Sequence, residues 1–199
     1  MKNPSPSQFT LTKVKHLASK GGLELNFVTK QTASDETYTV THSRKSDRTP
    51  HPDLTGLLVL LKPFVSKTFR LDKIRFVALK TENMDIEDLY YSIVDKITVT
   101  GIALSGEDDK RKVVITSVYE VDNGQKVALN TNAIWLSGDI DESQPHQIHD
   151  IVNNIISECY EFLYYDKQAQ QTIPIDDDDK QDPGDPPSEA VEQDVAIKQ

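Results

Sequence analysis

The chain has 199 residues, 37% of them hydrophobic, a net charge of −10 and one cysteine, and its longest apolar run, Leu57 to Leu61, is far short of the ~20 residues of a membrane span. A lone Cys159 excludes an intrachain disulfide and a paired-cysteine zinc site, and it suits a reducing compartment such as the cytoplasm of a bacterial host cell. Charge is unevenly spread: residues 1–80 carry +8, residues 81–175 carry −11 and residues 176–199 carry −7.

Met1 to Gln8 is polar, has no apolar signal core and reads as a flexible lead-in. Phe9 to Leu17 has approximate period-two patterning, with Phe9, Leu11 and Leu17 expected on one face and Thr10, Thr12, Val14 and His16 on the other. Gly21-Gly22 breaks the chain, after which Leu23 to Lys30 and Thr37 to Lys45 have strand composition. Three antiparallel strands with short loops are expected.

Pro50 and Pro52 mark the boundary before a helix starting near Pro52 or Asp53, with Leu54, Leu57, Leu58 and Leu61 on one stripe and Pro63 ending or kinking it. Lys73 to Lys80 reads as a strand, and Leu89 to Val94 as a short helix or part of a loop. Lys96 to Leu104, Lys112 to Val121 and Gln125 to Leu136 then form a three-strand meander. Asn123-Gly124 predicts a two-residue type I′ hairpin pairing Val118 with Leu129, which places Val114, Val118, Val127, Leu129 and Trp135 on a core face. The last helix is expected from Ser143 or Pro145 to about Lys167, with Ile148, Ile151, Val152, Ile155, Ile156, Cys159, Tyr160 and Leu163 as its apolar stripe. From Ile175 onward, Asp, Pro, Ser, Glu and Gln dominate, and such a segment buries too little to offset the entropy of ordering.

The expected organisation is a flexible stretch over 1–8, one α+β domain over 9–168 and a disordered acidic tail over 169–199. The body is strand-rich and antiparallel with two helices, and a distorted five-strand barrel of the oligonucleotide-binding type is one form it could take.

No enzyme signature is present: His-Glu-x-x-His, a phosphate-cradling glycine loop and Gly-x-Ser-x-Gly are all missing. Ser105 to Asp109 and Ser137 to Glu142 gather six carboxylates at one end of the meander, but Asp139 to Asp150 lacks the glycine and terminal Glu of a calcium loop, so these read as solvated loops. His146 and His149 read as surface histidines, and Cys159 as an inert core thiol. No metal and no cofactor are expected.

The basic N-terminal third carries the functional reading. Lys13, Lys15, His16, Lys30, Tyr38, His42, Arg44, Lys45 and Arg48 lie on or beside three strands, and a sheet with cations and exposed aromatics can track a phosphate backbone while stacking bases. The same residues also suit a merely solvated outer face. A tethered tail of −7 would compete for such a surface at high effective concentration.

A strand-rich body followed by Ile175-Asp176-Asp177-Asp178-Asp179 and an Asp-Pro-rich end resembles phage and bacterial single-stranded DNA-binding proteins, which pair a β-barrel core with an acidic tail. The resemblance covers tail architecture and strand content. Family tails commonly end in an acidic run and a terminal aromatic or Pro-Phe, where this chain ends Val195-Ala196-Ile197-Lys198-Gln199. The resemblance implies a non-enzymatic single-stranded DNA-binding protein of phage replication or recombination. Its tail would act as a competitor or as a docking segment for replication or recombination proteins. The alternative is a structural or interaction protein, such as a virion component or a nucleic-acid-mimicking inhibitor. Oligomeric state is left open.

Overall fold

The computed structural model describes residues 3–17, 21–33, 36–71, 86–107, 110–137 and 147–167. Strands β1 (Phe9–Leu17), β2 (Gly22–Ala33) and β3 (Glu36–Ser46) form the expected meander. Helices α1 (Pro52–Val59), α2 (Lys62–Phe69) and α3 (Ile86–Asp95) follow, then β4 (Ile97–Ser105), β5 (Lys112–Glu120), β6 (Lys126–Asn130), β7 (Ile134–Trp135) and α4 (Ile148–Tyr164). The strands make an open, antiparallel seven-stranded sheet in the order β3-β2-β1-β4-β5-β6, with β7 also paired to β5. Among the described residues β3 has β2 as its one strand neighbour, so the sheet does not close there.

Two bulges decide which side chains face inward. Thr12 is an extra residue between the pairs Leu11–Phe27 and Lys13–Asn26, and its hydroxyl donates to the Asn26 carbonyl at 2.9 Å. The alternation resets there. Val14 therefore joins Phe9 and Leu11 in the core, while Lys13 and Lys15 turn outward. The uninterrupted period expected for β1 had put Val14 on the opposite face from Phe9 and Leu11. Thr100 does the same in β4, donating to the Thr116 carbonyl at 3.2 Å, so that Val99 and Ile102 both point inward.

The β5–β6 hairpin departs from expectation by one residue. Its loop is Asp122-Asn123-Gly124, with Gly124 at φ 78° donating to the Val121 carbonyl at 2.8 Å and Gln125 N–H donating to Asn123 Oδ1 at 3.0 Å. A three-residue loop with a left-handed glycine replaces the two-residue turn. Val118 consequently pairs with Ala128, and Ser117 with Leu129. Because side chains alternate, this slip exchanges the faces of β5: Val113, Ile115 and Ser117 are buried, and Val114 and Val118 look outward. The strand expected over Gln125 to Leu136 is also divided. Thr131 donates its N–H to the Ile115 carbonyl at 3.0 Å and accepts from Ile115 N–H through its hydroxyl at 2.9 Å, and pairing resumes one residue out of step as Val113–Ile134 and Lys112–Trp135. Trp135 thus lies outside the core, not in it.

One helical layer covers the inward face. The Pro63 break separates α1 from α2, and Pro63 itself sits in the first turn of α2, where its missing N–H costs no helical bond. Leu54, Leu58, Leu61 and Val65 of this pair, with Ile151, Val152, Ile155, Cys159 and Phe162 of α4, close on Phe9, Leu11, Val14, Leu25, Phe27, Ile102 and Ile115 in one core. Each fully buried aliphatic or Phe side chain contributes ~1.5–3 kcal/mol. The N-terminal segment is tied to α4: Tyr160 donates its O–H to the Pro4 carbonyl at 2.5 Å, and Asn3 donates to the Tyr164 carbonyl at 3.2 Å. The short segment around Leu89 to Val94 is helical, as α3. The Lys73 to Lys80 strand, much of the two acidic loops, His146 and the tail lie outside the described residues. No helix among those described is long and apolar enough to cross a membrane.

Gly101 is where β4 approaches β1 most closely: a Cβ there would lie 2.2 Å from the Val14 carbonyl oxygen and 2.9 Å from Lys15 Cα. Gly101→Ala is expected to cost about 2 kcal/mol or more in urea unfolding. Gly56→Ala, in α1 with open space around its Cβ, should instead gain ~0.5–1 kcal/mol. Burial pushes the Cys159 thiol well above its ordinary 9.0, with a smaller push from the Glu158 carboxylate. The folded state holds that proton while the unfolded chain releases it above 9.0, so stability should fall as pH rises past that point. Cys159→Ala should flatten the stability slope between about pH 9 and 10, measured by urea titration across that range.

Candidate nucleic-acid interface

The register resolves the nine cationic and aromatic residues singled out from sequence into two groups. Lys13, Lys15, Lys30 and Lys45 alternate outward, on the face opposite the helices. His16 pairs across from buried Leu23 and points to the helix side, half-buried. His42 stacks on Phe27, with ring centroids 4.7 Å apart and planes at 15°, and its Nε2 lies 2.9 Å from the Thr29 hydroxyl. Arg44 pairs across from Leu25 on the helix side and attracts the Tyr164 phenolate, partly opposing the upward push that burial gives that group. Arg48 lies 5.0 Å over the Phe162 ring and pairs with Asp166. Tyr38 is exposed near the end of the β2–β3 hairpin and donates to Gln31 Oε1 at 3.0 Å. His42 therefore packs on Phe27 on the helix side of the sheet and Arg48 on Phe162 of α4, and one groove does not gather all nine.

On the outward face the lysines meet a shared carboxylate. Glu24 lies 3.0 Å from Lys13 Nζ and 3.8 Å from Lys45 Nζ, and it pairs across from Lys15. The Lys13 hydrogen bond, with attraction from Lys13, Lys45 and Lys15, holds its carboxyl below the usual range against the opposing cost of burial. One carboxylate among three ammonium groups leaves a local excess of positive charge.

Next to this cluster the face is floored by small or β-branched residues. The cross-strand row Lys45, Glu24, Lys15, Gly101, Thr116, Asn130 runs beside a second row, Ser43, Asn26, Lys13, Ala103, Val114. The six strands span roughly 24 Å at the ordinary strand spacing. Asn26 Oδ1, in the second row, is buried and has no hydrogen-bond donor.

At the far edge sits the feature that sequence reading missed. Trp135 is 48% exposed, and Lys112 Nζ lies 3.9 Å from the centre of its ring, a cation–π contact. Both side chains face outward because β7 pairs Trp135 with Lys112. The cue was present in Asp122-Asn123-Gly124: a three-residue loop gives β5 the parity that turns Lys112 outward with Val114.

A second cluster is a self-contained ion-pair clasp. Ligand-capable atoms of His51, Asp53 and Glu158 lie within 4.8 Å of one another, but the Lys167 ammonium already sits 2.7 Å from Glu158, 3.0 Å from Glu161 and 3.3 Å from Asp53. Those carboxylates hold the Lys167 pKa above its ordinary value, and the clasp ties the chain after α4 to the start of α1. His149 is exposed and lies within hydrogen-bond reach of Asn153 and Asp150.

With Lys112 beside it, the indole of Trp135 should be quenched more strongly by iodide than by caesium, as read by Stern–Volmer slopes of the single-tryptophan emission. Lys112→Met should bring the two slopes together. No protein-family model, curated protein or solved structure matched this chain.

Proposed function

We propose that the protein binds single-stranded DNA on the open face of its sheet, without catalysis, in a phage replication or recombination role. The observation that carries the reading is Trp135, exposed on the same face as Lys13, Lys15 and Lys45 and capped by Lys112. Lysines at that spacing neutralise phosphates, the indole offers a π-face to a base, and the small floor lets a strand lie flat. Neither interaction selects a base, so binding is sequence-tolerant and steeply salt-dependent.

The strand connectivity supports the same reading. β1 is central, paired to β2 on one side and β4 on the other, with helices in the β3–β4 connection. In a five-strand oligonucleotide-binding barrel the first strand likewise pairs with the second and fourth, and such barrels are partly open. Here β6 and β7 take the edge of β5 that a closing strand would use.

The acidic tail, −7 over residues 176–199, competes for the lysines in this reading and is displaced when DNA arrives, freed for replication or recombination proteins.

Titration of oligo-dT at low salt should quench Trp135 emission. Trp135→Ala should weaken binding by about 1–3 kcal/mol. Each of Lys13→Met and Lys15→Met should lower the slope of log affinity against log salt by ~0.7. Glu24→Gln removes the shared carboxylate and should tighten binding, as should deletion of residues 176–199. Absence of binding at low salt in the tail-deleted protein would overturn the reading.

A further inference from the structure

We propose that the free edge of β3 is a self-pairing surface, and that two copies of the chain join β3 to β3 across a two-fold axis at Thr41 into one continuous sheet. The two edges of the sheet differ. The far edge is short and broken, β6 having five residues and β7 two, with the Thr131 break between them. Sheets commonly guard against edge pairing in that way. β3 lacks such guards. It runs eleven residues without a proline, its pairing with β2 is free of bulges from Ala33–Glu36 to Leu23–Ser46, and none of its residues is buried. Among the described residues no strand other than β2 pairs with it.

The register tells which backbone groups are open. Ala33 pairs with Glu36 across two intervening residues, and a pair that closes so short a connection exchanges both of its hydrogen bonds. Counting in twos from Glu36, the N–H and C=O groups of Tyr38, Val40, His42, Arg44 and Ser46 are turned to β2 as well. Those of Thr37, Thr39, Thr41, Ser43 and Lys45 point away from β2, to the open edge. Antiparallel pairing with an identical edge sets these five against themselves. The register centred on Thr41 uses all of them: Thr41 lies on Thr41, Thr39 on Ser43 and Thr37 on Lys45, closing about ten backbone hydrogen bonds.

The side chains suit that register. Charge is confined to the ends of β3, negative at Glu36 and positive at Arg44 and Lys45, with no carboxylate, lysine or arginine from Thr37 to Ser43. Reversal of the second copy brings each Glu36 beside the basic end of the other strand, and no like charges fall directly opposite. On the helix side Tyr38, exposed in the single chain, meets Arg44 of the second copy, a pairing that permits a cation–π contact. On the open face the hydroxyls of Thr39, Thr41 and Ser43 oppose one another. A two-fold axis perpendicular to the sheet keeps both open faces on one side, with the two Lys45 residues ~27 Å apart along the strands. The pairing needs no nucleic acid, so it stands or falls apart from the binding proposal.

A contact confined to one strand is smaller than a standard interface, so the dimer should be reversible, with a Kd on the order of 10–100 µM. Sedimentation velocity of the full-length protein from about 5 to 500 µM, without nucleic acid, should show monomer giving way to dimer. Over the same range, amide exchange read by NMR should slow about tenfold at Thr37, Thr39, Thr41, Ser43 and Lys45. Tyr38, Val40, His42 and Arg44, already bonded to β2, should change little. Thr41→Pro removes the N–H on the axis without costing β2 a bond, and should hold the protein monomeric throughout. Thr41→Lys sets two ammonium groups against each other and should weaken association about tenfold, with added salt restoring part of it. An unchanged methyl spectrum of Ile102 and Ile115 checks the fold of both variants. A monomer at every concentration would overturn the proposal. So would a dimer in which the five amides exchange as fast as in dilute protein, or protection of those amides already present in the monomer.

Discussion

The arrangement depends on the bulge at Thr12. Without an extra residue there, the alternation begun by Phe9 and Leu11 would carry Lys13 and Lys15 into the core and Val14 out of it. Burying two ammonium groups costs far more than one bulge, and the Thr12 hydroxyl recovers part of the lost ladder by donating to the Asn26 carbonyl. Thr100 repeats the device on the neighbouring strand β4, so both strands across the middle of the sheet present small or cationic residues outward and branched aliphatic residues inward.

Once that alternation is set, the two faces take different roles. The inward face closes with α1, α2 and α4 over one apolar core, and the cationic and aromatic residues that fall on that side are drawn into packing. His42 stacks on Phe27, and Arg48 covers Phe162 while pairing with Asp166. The outward face keeps its lysines, tempered by Glu24, and gains Lys112 and Trp135 from the far edge. Glu24 keeps neighbouring ammonium groups from repelling one another in the free protein while leaving them in excess.

The clasp around Lys167 has a comparable place in the helix layer. Three carboxylates from α1 and α4 converge on one ammonium just after α4, tying Lys167 to the start of α1. The same cluster, read only as His51, Asp53 and Glu158, has the look of a metal site. The lysine between them supplies the positive charge that the carboxylates require.

Much of this architecture was legible from patterning and punctuation. Period-two runs located β1 and β2, strand composition located β3, the Asn123-Gly124 hairpin signal organised β4 and β5 into a meander, the leucine stripe and Pro52 located α1, and the apolar rhythm from Ile148 to Leu163 located α4. Local preferences suffice there because each element has its own period. Facing was another matter. The Thr12 and Thr100 bulges, the third residue in the Asp122-Asn123-Gly124 loop and the Thr131 break each shift alternation by one, and one residue is enough to move a side chain to the other side of a sheet. Composition determined that this chain has a basic N-terminal third and an acidic end. Only strand pairing decided that Lys13, Lys15 and Lys45 share a face with Trp135 while His42 does not, because pairing register is a relation between distant segments that no single segment encodes.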